Sequence, residues 1–209
     1  TDTFATPGNV HDSQPYLARL DRQLKRFDLD PVAVGLDAGY NTAMLCHLIR
    51  ERQIEPVMGY RRPNKGKGLL RKSAFSYEKD SNSYRCPQGQ SLLYTTTNRD
   101  GYHEYKSDPA LCRNCPLLKQ CTRSKNQTKV LTRHVFEEAK DAANQTRLSA
   151  WGKKIYQRRK ETVERSFADA KQHHGHRYAR FRGLQNVQMQ CLMAGTAQNI
   201  KKMALLLAA

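Results

Sequence analysis

The sequence predicts an α/β core that is interrupted by a small β-rich insert and followed by C-terminal helices, and three changes of texture carry that prediction. Residues 1–60 alternate short β-rich runs with amphipathic stretches, the pattern of an α/β layer. Residues 61–148 combine a Gly-rich basic loop, hairpin turns and four clustered cysteines. Residues 149–209 return to helical periodicity with an excess of base.

In the first segment, Thr1 to Thr6 reads as the end of a strand stopped by Pro7-Gly8. Leu17, Leu20, Leu24 and Phe27 recur at spacings of three and four, one stripe of a helix, with Asp12-Ser13 as its N-cap region. Pro31 to Leu36 is a buried parallel-type strand ended by Asp37-Ala38-Gly39; Asn41 to Gln53 reads as a helix and Ile54 to Tyr60 as a second strand. The second segment opens with Arg61-Arg62-Pro63-Asn64-Lys65-Gly66-Lys67-Gly68, an exposed basic loop. Tyr77 and Tyr84 flank Asp80-Ser81-Asn82, and Leu92 to Thr97 and Tyr102 to Lys106 flank Asn98-Arg99-Asp100-Gly101, which are two hairpin signals. The third segment is a long basic helix from about Trp151 to Gln172, a His/Gly break, and a helix from Leu184 to Leu207. Tyr156, Val163, Phe167 and Ala170 mark the core-facing stripe of the basic helix.

The formal net charge of the 209 residues is +17. It divides into −2 for residues 1–60, +10 for 61–150 and +9 for 151–209, so the base belongs to the last two thirds. With clear apolar periodicity the chain is neither a disordered tail nor a membrane protein, and such a charge points to a polyanion, nucleic acid first. The longest charge-free run, Gly183 to Ile200, carries too many Gln and Asn side chains for a bilayer centre. No signal peptide is read at the N-terminus, and clustered cysteines without one fit a reducing cytosol.

Cys86, Cys112, Cys115 and Cys121 have the composition of a tetrahedral zinc site: a C-x2-C knuckle with two thiolates arriving from elsewhere, and hairpins providing the return path. Zinc binding here would add folding free energy to an insert with little apolar core of its own. Free thiols or disulfides remain the other readings of these four, while Cys46 and Cys191 read as small buried hydrophobes.

Two carboxylates stand out. Asp37 follows an apolar strand, at the edge where open α/β sheets bind ligands, although Asp before a small residue is also an ordinary turn or cap residue. Glu164 lies among bases on the long helix, with Lys160 at i−4 and Lys171 at i+7 on its face; it is either a metal-binding carboxylate or a member of solvated i,i+4 ion pairs.

Leu36-Asp37-Ala38-Gly39-Tyr40, the helix from Arg159 to Lys171, and His174-Gly175-His176-Arg177-Tyr178-Ala179-Arg180-Phe181-Arg182-Gly183 together resemble DDE transposases of bacterial insertion sequences. Thr6 to Asp12 is similar to the segment before that family's second catalytic acid, and the four-cysteine insert resembles one found in a subgroup. The resemblance implies an RNase H-like (retroviral-integrase-like) core, here incomplete at its N-terminus, whose three acids hold two divalent ions, Mg²⁺ or Mn²⁺. Asp37 matches the second acid, Glu164 the third and Lys171 the family's basic residue on the glutamate helix. Related groups place a Tyr and an Arg where this chain has Gln157 and Lys160; Tyr156 and Arg159 stand one position earlier.

The activity this resemblance implies is metal-dependent cleavage and strand transfer of element ends, with a homo-oligomer assembled on DNA in the bacterial cytoplasm, at the nucleoid. Lys171, Arg159 and Lys160 would steady the phosphates of the cut strand, and Arg177, Arg180 and Arg182 would track DNA beyond them. The family's first acid stands on an opening strand well before Thr1, so the chain reads as a C-terminal part that binds DNA but cuts poorly alone. Asp2 is a conceivable substitute for that acid, and Asp12 reads as a turn or cap residue. Two other functions stay open: a non-catalytic zinc-ribbon DNA-binding protein, and a nuclease of the same fold without strand joining.

Overall fold

Leu17, Leu20 and Leu24 fall one turn apart on α1 (Ser13–Phe27) and pack as the sequence stripe requires. The helix stops where Asp28 takes a left-handed conformation, φ 48°, and donates its amide to the Leu24 carbonyl. Asp12 stands at the N-cap position but its side chain makes no capping bond. The computed structural model describes residues 2–60 and 68–208, so the basic loop expected at 61–68 lies outside the described residues except for Gly68.

After α1 the chain forms a β-α-β unit. Strand β1 (Ala33–Leu36) pairs in parallel with β2 (Glu55–Met58), and α2 (Ala43–Arg50) makes the crossover. Thr42 caps α2, its hydroxyl accepting from the Leu45 amide at 3.2 Å. The helix is shorter than its periodicity because Gln53 turns left-handed, φ 60°, and swings Ile54 back to donate to the Ile49 carbonyl. Leu20, Leu45, Cys46, Ile49, Ile54, Met58 and Ala143 form the buried cluster, with Val34 and Leu36 against it. Gly35, between them, faces the other side of β1, as the two-residue period of a strand dictates. Cys46 is the small buried hydrophobe expected, and burial pushes its thiol up to about 11.

Residues 2–6 do not form the expected strand. Gln188 occupies their backbone instead, accepting from the Ala5 amide at 2.6 Å and donating to the Thr3 carbonyl at 3.2 Å. Asp2 pairs with Arg19 and accepts from Gln23, both on α1.

A second compact unit covers Arg61–Glu138, while Thr1–Tyr60 and Ala139–Ala209 make up the first. In the second, β3 (Ser76–Glu78), β4 (Ser83–Arg85), β5 (Ser91–Thr97), β6 (Tyr102–Ser107) and β7 (Val130–His134) form an antiparallel sheet in sequence order. Both expected hairpins are present, and β7 adds an edge strand that no turn or repeat in the sequence marks. The expectation of little apolar core is corrected here: Phe75, Tyr84, Leu92, Tyr105 and Leu131 form a buried cluster. Tyr84 and Tyr105 pack edge to face with centroids 5.0 Å apart. These residues come singly from four strands and one turn, so no apolar run announces them. The short helices α3 (Pro109–Cys112) and α4 (Leu118–Cys121) carry three of the cysteines or lead directly to them.

The chain rejoins the first unit along α5 (Glu137–Leu148): Ala139 and Ala143 pack in its cluster, whereas the sequence division left residues 139–148 with the insert. Ser149 then caps α6 (Ala150–Arg159), accepting from the Gly152 amide and donating to the Thr146 carbonyl. A Cβ on Gly152 would stand 1.9 Å from that carbonyl oxygen, so only glycine allows the α5–α6 corner. A π-helical turn, Lys160–Glu164, leads into α7 (Arg165–His173), and after a loop α8 (Leu184–Leu207) ends the described chain. None of the described helices is long and apolar enough to cross a membrane.

Candidate active site

Asp37 leaves β1 in an extended conformation and starts the tight Ala38–Tyr40 turn, so its carboxylate stands at the sheet edge, 67% exposed. Beside it, Gly59 ends β2 and donates its amide to Leu36. A Cβ at Gly59 would sit 2.6 Å from the Tyr156 hydroxyl and 2.9 Å from the Ala38 amide, so glycine there lets three segments converge. From the opposite side of β1 comes Arg159. Its Cγ and Cδ lie 3.2 and 3.3 Å from where a Gly35 Cβ would be, its Nη2 meets Asp37 Oδ1 at 2.7 Å, and its Nη1 donates to the Tyr156 hydroxyl at 3.1 Å. Burial lowers the Arg159 pKa, but the bond to Asp37 and the charges of Asp37, Tyr156 and Glu164 prevail and raise it. The cation is therefore held in place, and its Nε is buried without a partner.

Glu164 closes the π turn, and that turn decides which bases surround it. An α-helix brings residues i and i+4 to one side and leaves i+5 about 140° round the axis. A π turn closes at i+5 and so carries Arg159 round to Glu164's side without removing Lys160. The Thr162 hydroxyl bonds the Arg158 carbonyl at 2.9 Å, a local contact of the kind that distorts helices. The expected core stripe is corrected in part. Ala170 is buried as that stripe requires, but Val163, inside the π turn, and Phe167 are exposed.

Between the end of β2 and α6 lies a cavity of about 330 Å³ lined by Gly59, Tyr60, Arg147, Lys153, Tyr156, Gln157, Lys160 and Glu164. Three cations and one carboxylate among these residues give the lining a net positive charge. Arg147 stacks over the Tyr60 ring at 5.3 Å. Sequence reasoning missed Arg147, Lys153 and Tyr60: the first sits on a helix assigned to the insert, and no local pattern brings any of them to Glu164. Tyr40, also missed, feels both Asp12 and Asp37; burial first, then those two charges, raise its pKa.

The remaining bases are on the surface. Lys171 is exposed on α7, and Arg177, Arg180 and Arg182 are exposed on the loop before α8. Of the cysteines, Cys86 and Cys121 lie against the aromatic cluster and the Cys112 thiol bonds the Ser107 hydroxyl at 3.2 Å. Burial pushes the Cys121 thiol up, Lys129 opposes it, and Cys112, Cys115 and Cys86 are near enough to push it further. Among the described residues no group of three or more His, Cys, Asp or Glu side chains is arranged to hold a metal ion. For the four thiols the chemistry fits zinc while the arrangement is not closed. Asp37 and Glu164 are hard oxygen donors of the kind Mg²⁺ or Mn²⁺ takes, and Arg159 holds one oxygen of Asp37.

No curated protein and no solved structure matches the chain. A family model described as transposase DDE domain matches residues 85–204. The matched span holds Glu164, Lys171 and all four clustered cysteines; Asp37 lies before it. Covering more than half of the sequence, the match shows that the chain belongs to the transposase DDE domain family.

Proposed function

We propose that Asp37 and Glu164 are two of the acids with which this transposase cleaves and joins DNA strands on an RNase H-like core. The observation that carries the reading is the convergence of β1, the end of β2 and the Glu164 helix, with Arg159 reaching from that helix to Asp37. DNA is the substrate that the family implies, and enzymes with this domain generally use divalent metal ions. Asp37 and Glu164 would be the hard oxygen donors for Mg²⁺ or Mn²⁺, with Arg159 bonded to one oxygen of Asp37. Lys160, with Arg147 and Lys153 in the same pocket, offers charge for a phosphate of the cut strand; Lys171, Arg177, Arg180 and Arg182 extend that charge along the surface. Cys86, Cys112, Cys115 and Cys121 hold a structural zinc in this reading, and the active form is an oligomer on DNA.

A strand-transfer assay of the full-length gene product with Mg²⁺ or Mn²⁺ tests it. Asp37→Ala and Glu164→Ala are expected to abolish cleavage and joining while leaving DNA binding intact; wild-type activity in either variant sinks the assignment. The Asp37–Arg159 ion pair favours one second reading, a DNA-binding protein in which Asp37 is structural. That protein would bind DNA with strong salt dependence and without regard to Mg²⁺.

A further inference from the structure

Residues 174–183, between α7 and α8, contain no helix or strand, yet their backbone is fixed by named bonds. The Gln190 side chain on α8 accepts from the Arg180 amide at 2.9 Å and donates to the carbonyls of Gly175 and Tyr178 at 3.1 and 2.7 Å. The His176 amide reaches back to the Ala170 carbonyl at 3.1 Å, and Gly175 makes the reversal with φ 65°. What this fixed loop presents is two aromatic rings in water: Tyr178 is 75% exposed and Phe181 53%. Arg177, Arg180 and Arg182 alternate with them, all exposed, and the stretch holds no acid.

Exposed rings on an ordered backbone forgo the stabilisation of burial, so they are placed for a partner with flat apolar faces. The interleaved arginines specify that the partner is anionic. Duplex DNA satisfies the arginines but hides its base faces in the stack. A single strand satisfies both: bases lie on aromatic rings while cations follow the phosphates.

We propose that this loop binds unpaired nucleotides of a DNA strand, with Tyr178 and Phe181 stacking on bases and Arg177, Arg180 and Arg182 holding the phosphates between them. The proposal rests on DNA being the substrate and is independent of the roles given to Asp37 and Glu164.

The test compares the binding of the intact protein to a blunt duplex and to the same duplex with a short single-stranded tail, by fluorescence anisotropy, with 2-aminopurine in the tail as a stacking probe. Tailed DNA is expected to bind more tightly and its 2-aminopurine to be quenched. Tyr178→Ala and Phe181→Ala should each weaken tailed binding by about tenfold, the order one stacked base contributes, with blunt binding within about twofold of the parent. Tyr178→Phe should retain the preference. Replacing Arg177, Arg180 and Arg182 by Gln should weaken both ligands and flatten the salt dependence. Equal binding of tailed and blunt DNA, or a preference untouched by both alanine variants, overturns the inference alone. Failure to bind either ligand overturns the DNA reading with it. Both rings are exposed, so unchanged thermal unfolding of the variants guards against a folding artefact.

Discussion

The insert sheet and the C-terminal helices carry nearly equal positive charge and dispose of their apolar side chains in opposite ways. In the sheet, Tyr84, Leu92 and Tyr105 are almost wholly buried against one another. On α8, Met193, Ile200, Met203, Leu206 and Leu207 stand in solvent, and Ala194 alone is buried. Charge therefore says nothing about packing. The sheet owes its order to a closed aromatic cluster; the first unit has an aliphatic cluster around its β-α-β part, and the later helices meet that part at close glycine contacts: Gly152 at the α5–α6 corner, Gly59 beside Ala38 and Gly35 under Arg159.

The largest effect is expected at the centre of the sheet. Tyr105→Ala should cost about 3–5 kcal/mol, while Leu206→Ala should stay within about 0.5 kcal/mol, as measured by denaturant unfolding. Similar costs at both positions would break the contrast. Next comes Gly59→Ala, where the new methyl group meets the Ala38 amide and the Tyr156 hydroxyl. A cost of about 1–3 kcal/mol is expected, with a fall in DNA cleavage larger than the loss of folded protein explains, because the displaced segment is the Asp37 turn. Full activity in that variant would detach Asp37 from the chemistry.

Much of this contrast is legible in the sequence, and the departures have physical causes. The β-α-β unit, both hairpins and the Leu184–Leu207 helix follow from periodicity and turn residues, which are local signals. Strand β7 and the aromatic cluster depend on pairing across the sheet, and single residues from separate strands leave no local trace. The Glu164 neighbourhood departs for a sharper reason. Tyr156 and Arg159 lie one position before the places a related Tyr and Arg would occupy, and a pure α register assigns Lys160 to Glu164's face; the π turn accommodates the extra residue and restores Arg159. The cavity cations Arg147 and Lys153 come from two helices and meet only in the folded chain.

That register is open to a test of intermediate size. Arg159→Gln removes a buried guanidinium from Tyr156 and Asp37 and should cost about 1–3 kcal/mol. Deleting Thr162 reduces the Arg159–Glu164 spacing to four, which an ordinary α turn places on one side, so that variant should unfold within about 1 kcal/mol of the parent. A deletion as damaging as Arg159→Gln would show that the π turn does more than absorb one residue.

The smallest effect concerns how α8 stays attached. Asp169 on α7 accepts from Gln198 at 3.0 Å and from Lys201 at 2.9 Å, and His174 approaches it at 3.2 Å. The Gln198 bond first, and Lys201 next, hold the Asp169 carboxyl at about 2 against an ordinary value of 3.8. A depressed carboxyl stabilises the fold above its unfolded pKa and loses that contribution as pH falls through the folded one, here between the ordinary carboxylate range and about 2. The group is half-buried at the surface, so the expected change is local: the protection of α8 amides, corrected for the intrinsic pH dependence of exchange, should fall over that pH range while the sheet cluster stays protected. In Asp169→Asn, α8 should already be less protected at neutral pH and lose little further protection on acidification. An α8 whose exchange is the same in both proteins across the range would assign its attachment to the Gln188 and Gln190 bonds instead.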